Sequence, residues 1–77
     1  MAAVKDRAAR FRALMKDEAF IDLTTGLRKA QVDRFCDASA TMDEIKEAHD
    51  IVVALEKIDE YILSAFSDEK VYDKRHN

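Results

Sequence analysis

Few residues in this sequence carry reactive chemistry, and their spacing withholds most of what they could do. There are two histidines, His49 and His76, one cysteine, Cys36, and one glycine, Gly26. A metal-binding histidine on a helix needs a second ligand three or four residues away. His49 has Ile45, Lys46, Val52 and Val53 at those positions, so it reads as an exposed or rim residue. His76, in the terminal tail, reads as a cap or a partner contact. Cys36 stands beside Phe35 near a helix end with no histidine close in sequence, which fits a packed thiol rather than a nucleophile. One glycine cannot make a phosphate-cradling loop. Carboxylates are plentiful, but they alternate with lysines as a solvated helix face does. Asp59 alone falls at the margin of an apolar face, where it can pair with a basic residue of an earlier helix. The expectation is a non-enzyme with no catalytic residue, no metal site, no cofactor and no small-molecule substrate.

The remaining chemistry is cationic. Arg7, Arg10, Arg12 and Lys16 crowd the first segment and would suit the phosphates of a nucleic acid. Against this, the only bulky stacking residue there is Phe11, which the apolar face of the same segment needs, and the whole chain carries a net charge of −3. The charge is divided. Residues 1–36 hold eight Lys/Arg and five Asp/Glu, whereas residues 37–77 hold five and eleven. Such a split steers the first segment onto the acidic half, or one copy's head onto another's tail. A helix-turn-helix with Arg28, Lys29, Gln31 and Arg34 after Gly26 is weaker still, because the segment before Gly26 continues the same hydrophobic phase.

These residues must be positioned by helices. No proline, 48% hydrophobic and 38% charged residues describe an all-α chain. At 77 residues it makes a single domain whose unaided core supplies only about 3–5 kcal/mol, so assembly is favoured from the outset. No apolar run reaches the length of a membrane span, the N-terminus lacks a signal-peptide pattern, and a lone cysteine fits a reducing cytoplasm.

The longest element is 41–66. Thr41 and Glu44 have the spacing of a capping box. From there Ile45, Ala48, Ile51, Val52, Leu55, Ile58, Ile62, Ala65 and Phe66 recur at steps of three and four, within about 160° of arc. That face is wider than one partner helix covers, and the helix, roughly 37 Å long, is longer than a compact chain of this size requires. A first helix over 3–15 puts Val4, Ala8, Phe11 and Met15 on one face with Leu14 beside them. A second over 18–36 aligns Phe20, Leu23, Leu27, Ala30 and Phe35, with Asp17 as its cap. Thr24, Thr25 and Gly26 weaken its middle: the helix kinks there, restarts with Thr25 as a cap, or runs through, and for Gly26 an ordinary tolerated helix glycine is favoured over a close approach to another backbone. Four small residues, 37–40, join it to the third helix as an antiparallel hairpin, with the first helix folded across or reaching to a neighbour. Residues 67–77 read as a tail, in which Val71 and Tyr72 are apolar.

The run RALMKDEAF, the second helix, the short loop and EAHDIVVALEKIDEYILSAFSDEK together resemble the small helical proteins of tailed-bacteriophage head-morphogenesis modules. Leu14, Asp17 and Phe20 match a leucine-containing turn followed by an Asp-Pro-x-Phe-like helix start, with Glu18 where proline is frequent. Ala54-Leu55-Glu56-Lys57-Ile58-Asp59 matches an ALDxIExxL-like stretch in part, its acidic residues shifted. The resemblance implies a virion or assembly component, in the host cytoplasm or the virion, that packs on portal, capsid or copies of itself. It brings no catalytic residue. The expected interface is Phe11, Leu14, Met15, Ile51, Leu55, Ile58, Ile62, Phe66 and Tyr72. The alternative is a packaging or regulatory module that binds nucleic acid through Arg7, Arg10, Arg12 and Lys16.

Overall fold

A computed structural model describes residues 2–76. Among them lie three helices and no strand: α1 Ala3–Lys16, α2 Glu18–Phe35 and α3 Met42–Arg75.

The first two helices are separated by one residue. Asp17 leaves the helical region (φ −72, ψ 122), and its carboxylate accepts a hydrogen bond from the Phe20 amide at 3.0 Å. A side-chain cap of this kind satisfies a donor that the first turn otherwise leaves open. The break therefore comes from capping, with no proline or glycine involved. α3 starts on the capping box expected of it. Glu44 N donates to Thr41 Oγ1 at 3.1 Å, and Thr41 N donates to the Glu44 carboxylate at 3.2 Å. The latter bond pulls the Glu44 carboxyl below its ordinary value. In the connecting turn, Asp37 accepts from both the amide and the hydroxyl of Ser39.

One expectation about helix extent is corrected. α3 does not stop at Phe66; it runs on through the presumed tail to Arg75, 34 residues in all. Glu69, Tyr72 and Asp73 keep the three- and four-residue phase of Ile62, Ala65 and Phe66, and all three are partly covered. Their charges disguise a helix that continues because α1 supplies the counter-charges. Lys74 and Arg75 close it with positive charge where the dipole favours it, and His76 is its C-cap. α2, by contrast, is the single helix expected, with Gly26 an ordinary tolerated residue in it. The helix passes straight through, no glycine has a positive φ, and a Cβ at Gly26 would meet nothing within 4 Å. The Thr24 hydroxyl is spent within the helix, donating to the Phe20 carbonyl at 3.0 Å.

α2 packs on the first part of α3 and α1 on the last part, while α1 and α2 touch each other little. The outcome is a rod of 57 × 22 × 14 Å with a radius of gyration of 16.8 Å, against about 11.5 Å for a compact chain of this length. The core is a thin line. Ala48, Leu55 and Ile62, seven residues apart, carry it along α3, joined by Ala65 and by Ala8 of α1. α2 contributes one buried residue, Gln31, whose amide donates to the Leu27 carbonyl at 2.9 Å. Among the described residues no large side chain is fully buried.

Because Gly26 has open space and helical backbone, Gly26→Ala is expected to raise stability by about 1 kcal/mol. A urea midpoint moving upward checks this; a fall would mean another backbone occupies that space.

Candidate functional site

The cations of α1 face the acidic end of α3. Lys5 pairs with Asp73, Arg7 with Asp68 at 2.6 Å, and Arg12 meets both carboxylate oxygens of Glu69. The spacing explains it. Lys5 and Arg12 are seven residues apart on one side of the Ala8 line, and Arg7 lies on the other side. Arg12 also lies over the Phe66 ring at 5.1 Å, and Arg7 over Tyr61 at 5.7 Å, within range for a cation–π attraction. Hydrogen bonding from Arg12 holds the Glu69 carboxyl below its ordinary value, and bonding to Asp73 raises the Lys5 ammonium above its own.

Of the four candidate phosphate contacts, Arg7 and Arg12 are thus held by α3. Arg10 points outward, paired only with Asp6 of its own helix, and Lys16 lies exposed at the α1 terminus. The structure divides these four residues between the half-exposed α1–α3 seam and the open surface.

The apolar candidates divide as well. Leu55 and Ile62 are core residues, while Phe11, Ile51, Phe66 and Tyr72 are half-buried at its edge. Tyr72 stacks on His76, ring centroids 4.0 Å apart. Leu14, Met15 and Ile58 stay exposed. They cluster at the waist, where α1 gives way to α2 across the middle of α3. On one side Met15, Phe20, Ile21, Thr24, Ile62 and Leu63 line an open groove of about 310 Å³. On the other, Phe11, Leu14, Ile58 and Tyr61 line one of about 380 Å³, with the Phe11 and Tyr61 rings 6.0 Å apart.

Residues outside the expected interface are exposed too. Leu23 is 65% exposed and Tyr61 59%, with Val32 and Leu63 similar. Leu23 had a signal in its α2 stripe, yet the line meeting α3 is Phe20, Thr24 and Gln31, which turns the Leu23 side outward. Tyr61 and Leu63 gave none, since they lie outside the main stripe of α3.

Three single residues close the inventory. Asp59 pairs with Arg28 of α2, as its position suggests, but remains half-exposed. His49 is exposed and near only Asp50, and no group of ligating side chains is assembled among the described residues. Cys36 is exposed, against the packed thiol expected. It is the C-cap of α2, where the chain leaves the helix for the turn that leads into α3. No described helix is long and apolar enough to cross a membrane.

No protein-family model, no curated protein and no solved structure matches the chain.

The ion pairs make α1 docking pH-dependent in a defined direction. Glu69, depressed in the fold, stabilises docking above its ordinary value of 4.5, an effect lost as pH falls through the lower folded value. Lys5, raised in the fold, acts below 10.5, and its effect is lost as pH rises through the higher folded value. The Ala8 methyl resonance should therefore shift on acidification below the carboxylate range, with Gly26 in α2 unmoved, and Glu69→Gln should reproduce that shift at neutral pH. An Ala8 signal indifferent to both would refute the role given to these pairs.

Proposed function

We propose that this chain is a non-enzymatic assembly component that works by helix packing. In this reading its architecture is an antiparallel helical hairpin: α3 is one arm, and α1 and α2, split at Asp17, are the other. The observation that carries the proposal is the uncovered surface. The chain exposes 6070 Å², whereas a compact monomer of 8.8 kDa exposes about 4,800 Å². The excess, roughly 1,300 Å², exceeds what one partner contributes to a standard interface. Leu23, Leu63, Ile58 and Tyr61 are among the large apolar side chains left exposed on regular helices, and exposed apolar patches mark association surfaces.

The resemblance to phage head-morphogenesis proteins supplies the setting: a virion or head-assembly protein that binds copies of itself, portal or capsid. The exposed apolar candidates Leu14, Met15 and Ile58 belong to the contact, and Leu55 and Ile62 support it from beneath. The engagement of Arg7 and Arg12 with α3 counts against a nucleic-acid role.

Light scattering at micromolar concentration should find a defined multimer or a complex with portal or capsid protein. Ile58→Glu, at a site 46% exposed, should shift the equilibrium at least tenfold toward monomer while helicity stays constant. A monomer indifferent to both head proteins, or salt-sensitive retention on duplex DNA that disappears with Arg10→Gln and Arg12→Gln, would overturn the proposal.

A further inference from the structure

Resting on that reading, we infer that the occupant of the uncovered face is a second copy of this chain, related by a two-fold axis along the rod. Each α3 then lies against the other copy's α1–α2 arm.

The argument starts from two ridges. On α3, Ile51, Ala54, Ile58 and Tyr61 recur at steps of three and four, the spacing of a coiled-coil seam. This ridge is offset to one side of the buried line Ala48, Leu55 and Ile62. Glu47 precedes it and Asp68 follows it in the same phase. On the arm, Leu23, Leu27 and Ala30 repeat the step and end at Arg34, while Leu14 and Phe11 of α1 repeat it and end at Arg7. The cross-contacts put both ridges on one flank of the rod. Phe11 and Leu14 share a groove with Ile58 and Tyr61, Arg34 reaches Glu44 at one end, and Arg7 reaches Asp68 at the other. The opposite flank is interrupted midway by the Arg28–Asp59 pair. The flank with the two ridges has an apolar centre, edged by Lys57, and charged ends.

Charge then selects how two such flanks meet. The ridge on α3 ends in carboxylates, Glu47 and Asp68, and the ridge on the arm ends in guanidinium groups, Arg34 and Arg7. With a two-fold along the rod, the second copy's Arg34 comes level with Glu47 and its Arg7 with Asp68. Opposite charges meet at both ends, and neighbouring helices run in opposite directions, which also opposes their dipoles. A two-fold across the rod would lay α3 on α3, bringing Glu47 toward the second copy's Asp68 and Arg34 toward its Arg7. Like charges would face each other at both ends, which disfavours that pairing.

Cys36 reports on this directly. It is the only cysteine, it is exposed, and it lies at one end of a 57 Å rod. A nitroxide spin label on native Cys36, read by pulsed dipolar spectroscopy, should give a single separation under about 30 Å, the width of a four-helix bundle plus labels. Ile58→Glu should abolish the dipolar signal without changing the circular dichroism. A dimer with a separation of roughly 50 Å, the length of the rod at 1.5 Å per residue, would overturn this pairing and leave the assembly proposal standing. So would a monomer that binds portal or capsid protein. A monomer that binds neither overturns both.

Discussion

The structure depends on one mismatch of coverage. α3 is 34 residues long, and the 14 residues of α1 and 18 of α2 lie end to end along it. Length is matched to length, so most turns of α3 have one neighbour and only the waist around Ile58–Leu63 meets both. A single neighbour covers one stripe, and the apolar arc of α3 is broader than that. What remains outside is a property of the topology, and repacking side chains within a single copy cannot remove it.

The thin core has consequences for how the rod is held. Three of its five buried apolar residues are alanines, and burying an alanine contributes far less than burying a leucine. α1 in particular has Ala8 as its single buried residue and relies on Lys5, Arg7 and Arg12 to fix its place on α3. Exposed ion pairs contribute little individually, but three on one short helix define register. The same basic–acidic division that docks α1 within a copy is available between copies. In the proposed dimer, intrachain and interchain packing draw on one electrostatic pattern.

Much of this architecture is legible in the sequence. The capping box at Thr41 and Glu44, the start of α2 at Asp17 and the excess width of the α3 face all follow from spacing. The end of α3 does not. Asp68, Glu69 and Asp73 look like a solvated tail until α1 is laid beside them, and that contact is more than fifty residues away in sequence. Gly26 is legible as an ordinary helix glycine, and its helix tolerates it without a close neighbour. The candidate surface was half legible. Ile58 and Leu14 stand in apolar stripes, but whether a stripe residue is covered depends on the rotation of α2. Gln31, a polar residue, occupies the buried line, and Leu23 is turned out.

The central claim is that the chain completes its core in a second molecule. Thermal unfolding followed over a hundredfold range of protein concentration tests it most directly. If folding and association are coupled, the midpoint rises steadily with concentration by mass action. A midpoint independent of concentration over that range, in a protein that light scattering finds monomeric throughout, would contradict the account.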